Sequence, residues 1–321
     1  VRSLLTIILL GFIGLNLYGQ EEADSTSYFT DYTEDLTLKI YSLLKVNSVE
    51  LSTNDQRLML KPNSPLSLGV SVNYKFVGLS AGIGLPSTAG STDIYGKTER
   101  LDFQVGLSLK NLGFDSYLQK YKGFYNSNPD DFMDWNNQNF PKLPGMETLS
   151  LGASVYYVTQ HGMFSNKAVL SRNQVQNVSK GSFLAGVFFN YDDVKSPEGF
   201  FPKELPDSIG SDFDLTGFRY IATGISLGYT YTWVISKSFF LNGTIIPGGG
   251  YKDIRVVDNK GISDIERHPH VQTQFRAVLG YEHKHFFAGF TGSTIIRNIE
   301  YKDYNIDLAT EQIRFYVGKR F

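Results

Sequence analysis

The 321 residues contain no cysteine, which excludes disulfides, thiolate metal sites and the lipid-modified N-terminal cysteine of a lipoprotein. Positive charge is not in excess either. The formal net charge is −2, and −3 once Arg2 leaves with a cleaved leader, so no basic field attracts nucleic acid. Beyond Gly19 no apolar run approaches the about 20 residues that a transmembrane helix needs. Any spanning of a membrane must therefore be done by strands. Methionine is scarce (4) where glycine (31), phenylalanine (24) and tyrosine (20) are plentiful. Aromatic residues form the interfacial girdles of transmembrane barrels, and glycine relieves crowding inside them.

The chain begins Val1-Arg2-Ser3, runs apolar from Leu4 to Leu17, and reaches Tyr18-Gly19 before Gln20-Glu21-Glu22. A basic start, a short apolar stretch and a small residue ahead of acidic ones predict a signal peptide over 1–19. As a helix the apolar run spans about 21 Å at about 1.5 Å per residue, short of the about 30 Å hydrocarbon core. The polar, acidic and aperiodic stretch that follows gives an expected flexible periplasmic lead over 20–34, and one barrel over 35–321. No linker separates two cores.

The last eleven residues, EQIRFYVGKRF, set Ile313, Phe315 and Val317 against Arg314, Tyr316 and Gly318, and end on Phe321. Strict alternation is a strand signal. In lipid every backbone N–H and C=O needs a protein partner, so a sheet there must close on itself. This segment is read as the barrel-closing strand. The same alternation recurs upstream. Leu36, Leu38, Ile40, Leu44 and Val46 share a face, with Lys39 and Lys45 on the other. Residues 66–85 form two period-two runs around a tight turn near Phe76, Val77 and Gly78. Leu101 to Leu109, Leu149 to Tyr157, Phe183 to Tyr191, Ile221 to Trp233 and Val271 to Phe290 repeat the design. The polar faces are rich in Gly, Ser and Thr rather than Lys and Glu, which suits a crowded lumen and argues against a soluble sandwich. Phe290, Leu227 and Val105 are expected to face lipid, with Gly292, Ser226 and Gln104 as a contrasting set whose side depends on register.

Long polar segments at 47–65, 86–98, 126–146, 192–217, 248–269 and 298–310 alternate with very short turns. Six external loops imply an antiparallel up-and-down transmembrane β-barrel of 12 strands with both termini inside. Two weaker candidates, 56–61 and 166–172, raise the count to 14 in the alternative topology.

Three groups of residues carry a likeness. They are Leu68-Gly69-Val70-Ser71-Val72-Asn73-Tyr74-Lys75, Lys120-Tyr121-Lys122-Gly123-Phe124-Tyr125, and Phe164-Ser165-Asn166-Lys167 followed by Val178-Ser179-Lys180-Gly181-Ser182. On these the chain, from about Asp35 to Phe321, resembles a family of Bacteroidetes outer-membrane proteins classed as a domain of unknown function. The resemblance implies a barrel and an outer-membrane address, and brings no activity or catalytic residues. The PorP/SprF barrels linked to secretion and gliding rank second, since their Asn-Pro-Ala-Tyr-type motif is missing here.

Chemistry-bearing residues are few. His268-Pro269-His270 with Asp264 and Glu266 resembles a metal-binding loop, but alternate residues around a proline need not converge, and no second ligand cluster supports it. His283 and His285 flank Lys284 in a turn, where solvation explains them. His161 near Ser165 offers the parts of a lipid hydrolase without a G-x-S-x-G elbow or a fixed orienting group. Glycines 248 to 250 precede no helix pattern and are not a phosphate loop. Two loops gather Asp130, Asp131, Phe132, Asp134 and Trp135, and Phe200, Phe201, Glu204, Asp207, Asp212 and Asp214, read as lid packing with solvated charge. No cofactor is expected. Gln272, Gln274, Arg276, Arg314 and Tyr316 face a wall of small residues, Ala222 to Thr232, and are expected to reach across and constrict the lumen. The resulting expectation is an outer-membrane barrel acting as a constricted passive channel or as a structural or binding platform. The alternatives are a lipid-acting hydrolase and a secretion-associated component. Its partners are outer-membrane lipids, the barrel-assembly machinery at Ile313, Phe315, Val317 and Phe321, and a small solute or protein.

Overall fold

The computed structural model describes residues 28–321 except 54, 55, 76, 110, 207–209, 211, 212, 214, 259, 260, 264, 302 and 303. The strands are β1 Phe29–Asp31, β2 Thr37–Ser52, β3 Arg57–Lys61, β4 Ser67–Tyr74, β5 Val77–Gly84, β6 Glu99–Ser108, β7 Leu112–Asn126 and β8 Lys142–Val158. They continue as β9 Gln174–Gln176, β10 Lys180–Lys195, β11 Leu215–Val234, β12 Phe239–Asp258, β13 Gly261–Ile262, β14 Glu266–His283, β15 Phe286–Tyr301 and β16 Tyr304–Arg320. Twelve of these, β2, β4 to β8, β10 to β12 and β14 to β16, pair antiparallel with their sequence neighbours in one ring. The ring closes where β16 pairs with β2, from Arg320 opposite Thr37 to Asn305 opposite Ser52. The expected count of 12 therefore holds, and neither extra candidate adds a ring strand. Residues 57–61 are β3, off the ring, and within 166–172 lies a helix, Asn166–Leu170.

In the lower half of the wall, alternate side chains separate by solvent. Ile225 and Leu227 on β11 are each 64% exposed, whereas Ala222 is 0% and Ser226 7% exposed. The outer apolar stretch of β10, Phe183 to Tyr191, matches the about 9–11 residues with which a tilted strand crosses a bilayer. Above it the two faces exchange character. On β12 the outer residues become Asp253 and Arg255 while Ile254 and Val256 turn inward and are buried. On β16 the outer pair is Asn305 and Asp307, and the inner pair Ile306 and Leu308 is buried. The longest strands, β11 and β12, have 20 residues each and project well past the apolar belt. This corrects the expected loops at 248–269 and 298–310, which are mostly strand. Polarity there inverts because the outer face has left lipid and the inner face packs as a soluble core.

The wall is low on one side. β4 and β5 have 8 residues each and β6 has 10. Above them β3 pairs with β2 on one edge and with β7 on the other, so nine of the twelve ring strands and β3, ten strands in all, form the wall at the loop end. Within the stretch expected as a flexible lead, Phe29–Asp31 forms β1 and pairs with β9 at the turn end.

Candidate functional site

The site is the lumen, which three layers fill from the loop end to the turn end. The upper layer is apolar. Leu51, Leu58, Leu60, Phe218, Ile254 and Ile306 from the wall pack with Phe132, Phe200 and Phe213 from the loops in one buried cluster. Phe201 stacks on Phe213 with ring centroids 5.6 Å apart, and Phe132 meets Phe201 edge-on at 5.4 Å. Burying each such side chain stabilises the fold by about 1.5–3 kcal/mol. The aromatic loops are thus a lid seated in the barrel mouth. Asp207, Asp212 and Asp214 of that loop lie outside the described residues.

The middle layer is polar and crosses the lumen. Arg297 on β15 donates to Tyr117 Oη on β7 at 2.5 Å and lies 3.5 Å from Asp192 on β10. Ser150 also donates to Asp192. Tyr117 has room to lie flat because Gly152 stands beneath its ring, where an added Cβ would collide with it. Asn190 donates to Gln272 Oε1 at 2.6 Å, and Tyr117 donates to Asn190 Oδ1 at 3.4 Å. A little lower, Arg276 approaches Asp115 at 3.6 Å, and Lys45 pairs with Asp102 at 2.6 Å. Buried charges of this kind persist only when paired and hydrogen-bonded.

The lower layer comes from residues 159–179, which enter the barrel from the turn end. Ser165 caps the helix Asn166–Leu170, its Oγ accepting from the Ala168 N–H at 2.9 Å. Phe164 and Val169 pack on Tyr156, Leu184, Phe240 and Val278. Arg172, in the left-handed region at φ 67°, ion-pairs with Glu282. Arg320 binds the other oxygen of that carboxylate through two nitrogens at 3.0 Å each, and its Nε donates to Arg172 O at 2.8 Å. The last charged residue of the closing strand therefore holds the inserted segment.

Between the middle and lower layers lies a cavity of about 220 Å³. Its charged lining is Lys39, Lys75, Arg276 and Arg314 against one carboxylate, Asp115. Lys75 pairs with Glu34 and Arg276 with Asp115. Lys39 donates to Ser171 O at 3.3 Å and Arg314 lies over the Tyr41 ring at 4.7 Å, and among the described residues neither forms a direct ion pair with a carboxylate, although Asp102 acts on Arg314 from farther away.

The sequence profile of a family described as "Domain of unknown function (DUF4421)" matches residues 22–321. The chain belongs to this family. No curated protein matches its sequence. Among solved structures, the outer membrane protease OmpT from Escherichia coli is similar at 10% identity and TM-score 0.43, covering 92% of this chain and 99% of that one. The Pseudomonas putida toluene transporter TodX is similar at 7% identity and TM-score 0.29, covering 90% of each chain. The CymD monoaromatic hydrocarbon channel is similar at 8% identity and TM-score 0.28, covering 90% of this chain and 89% of that one. The activities in those names are those proteins' own.

In this DUF4421 barrel Gln272, Gln274, Arg276, Arg314 and Tyr316 all belong to the inner face. Gln274, Arg276 and Arg314 line the cavity, Gln272 sits in the middle layer, and Tyr316 is buried against Phe287. Ile313, Phe315 and Val317 are exposed on the outer face of β16, and Phe321, one residue past its end, is exposed as well. Gly292 is an exception in the contrasting set. It shares the outer face with Phe290, and an added Cβ there meets nothing. His268 and His270 are on β14 and not in a loop. His268 bonds to Glu266 at 3.1 Å, while His270 is buried between the rings of Phe188 and Tyr220. Asp264 lies outside the described residues. Ser165 and His161 are not hydrogen-bonded to each other; the serine also donates to Gln174, and His161 Nδ1 is 3.2 Å from Val158 O. The residues that the sequence reading missed, Tyr117, Asp192 and Arg297, are the ones that bridge the lumen. Their only sequence signal was a tyrosine, an acid and a base on inner-face positions of three strands.

Proposed function

We propose that the protein is an outer-membrane barrel closed to axial flow, whose lumen serves as a small polar binding chamber. The observation that carries this reading is the bond from Arg297 to Tyr117, which ties opposite walls together beneath a packed apolar lid. A bore of about twelve strands lies between one just filled by side chains and an aqueous channel, so the side chains decide. Here they are large and mutually bonded. The apolar outer belt supports insertion in a bilayer, and the long-loop end is assigned to the cell exterior and the turn end to the periplasm. On this reading the signal peptide directs export, and the closing strand meets the assembly machinery. Planar-bilayer recording of the purified barrel tests it. The expected result is no large steady conductance in wild type, and an open porin-like current would refute the closed chamber.

A further inference from the structure

Every ring strand except one pair is zipped to its neighbour over seven or more residue pairs. β5 and β6 are paired only at Val77 with Leu107 and Gly78 with Gly106. Continued in register, the next partners would be Leu79 with Val105, Ser80 with Gln104 and Ala81 with Phe103, and none of these pairs forms. β5 runs on to Gly84 bonded to β4 alone, and β6 starts at Glu99 bonded to β7 alone. The bare edges face each other at the height of the apolar belt, where unsatisfied backbone groups are costly. The inner face of β5 is Gly78, Ser80, Gly82 and Gly84, with no bulk to fill the gap.

The lumen cavity reaches this seam. Ser80 and Gln104 line it from the inner faces of the two strands, and Val77 and Val105, whose side chains belong to the outer face, line it as well. The cavity therefore borders the seam where the two strands are unpaired. Inside, Lys39 and Arg314 bring positive charge without a direct ion pair to a carboxylate among the described residues, and outside, Leu79, Phe103 and Val105 are exposed.

We propose that the seam between β5 and β6 is a lateral portal for a membrane amphiphile with an anionic headgroup, which docks that headgroup against Lys39 and Arg314 while its chain remains among Leu79, Phe103 and Val105. The proposal rests on the lumen being a binding chamber and adds the class of ligand and its route. A phosphate or a carboxylate satisfies the same two cations through charge-assisted hydrogen bonds. Water in the breach and the ligand's own oxygens satisfy the free strand edges that lipid tails would leave bare.

The test uses the full barrel in phosphatidylcholine vesicles doped with palmitate or with phosphatidylglycerol, followed by detergent release and native mass spectrometry of retained lipid. Wild type is expected to retain one of the two anions over phosphatidylcholine. Palmitate assigns a carboxylate headgroup and phosphatidylglycerol a phosphate. Arg314→Gln is expected to lower retention at least ten-fold. Because the chain has no cysteine, Ser80→Cys gives a unique thiol. A bulky maleimide attached to it after folding is expected to abolish retention that the same unlabelled protein shows, which separates blockage from misfolding. The pair Ser80→Cys/Gln104→Cys is expected to oxidise at least ten-fold more slowly than Ser71→Cys/Ser80→Cys, whose positions are paired across β4 and β5. Retention of phosphatidylcholine as well as the anions, or of no lipid, would overturn the proposal. So would indifference to the maleimide, equal oxidation rates, or recovery of a polypeptide cross-linked to the Ser80 position from native membranes. Conductance is read separately, so an open pore and an absent portal are distinguishable failures.

Discussion

Arg297 and Tyr117 are hydrogen-bonded at 2.5 Å although their strands, β15 and β7, stand six places apart in a ring of twelve. The same guanidinium neutralises Asp192, and both side chains are almost wholly buried. Removing one member leaves the other as a buried, uncompensated charge. Arg297→Ala is expected to destabilise the barrel by roughly 3–5 kcal/mol, whereas Arg297→Ala combined with Asp192→Ala costs less than the sum of the two single changes. Urea unfolding in detergent measures all three variants. Additive losses would mean that the two groups act independently.

A triad of one carboxylate and two guanidinium groups holds the turn end. Glu282 is shared by Arg172 of the inserted segment and Arg320 of the closing strand. Glu282→Ala leaves two guanidinium groups buried without their anion, a loss of about 3–5 kcal/mol. Because residues 159–179 enter from outside the ring, the expected outcome is release of that segment with the barrel intact. Trypsin should then cut at Lys167 and Arg172 while the folded gel mobility persists. Unchanged resistance at both sites would show that apolar packing by Phe164 and Val169 suffices.

The outer face makes the third test. Leu227→Arg and Val105→Arg place a charge in the apolar belt and are expected to cost about 2–4 kcal/mol each at the bilayer midplane, lowering assembly yield. Gln104→Arg points into the polar cavity and is expected to assemble. Gly292→Leu, on the outer face with open space around it, is expected to assemble like wild type. If Val105→Arg and Gln104→Arg inserted equally well, the division of faces would be wrong.

These tests separate what the sequence carried from what it did not. Ile225, Leu227 and Ser226 were legible because lipid imposes one rule on the belt, apolar outward, and a period of two exposes it. Twelve strands followed from that rule and from the turns. Asp253, Ile254, Arg255 and Val256 obey the opposite rule, polar outward, and a change of rule within one strand looks like its end. Asp192 and His270 were therefore assigned to loops, although both sit on inner faces. The helix Asn166–Leu170 is too short for a 3.6-residue period to show. β3 alternates over five residues, and nothing local says that it bridges β2 and β7 above three shortened strands. The interruption between β5 and β6 is likewise a matter of partners and not of composition.

Conduction is governed by the order of the layers. The apolar lid, the bridge at Arg297 and the inserted helix lie in series along the barrel axis, so the tightest of them sets the current, and relieving another changes little. Arg276 belongs to the cavity below the bridge, where it faces Asp115. Arg276→Ala is therefore expected to leave the closed state proposed for wild type unbroken in a planar bilayer. The lid is the layer that water cannot enter, because Phe132, Phe200 and Phe213 join the wall residues in one buried cluster. Replacing all three with serine removes the aromatic lid and leaves the ring strands untouched. That triple variant is expected to remain nearly closed, since Tyr117 and Arg297 still span the lumen. Adding Arg297→Ala and Asp192→Ala to it should give small, flickering openings. A large current from Arg276→Ala alone would place the barrier at the cavity and overturn this order.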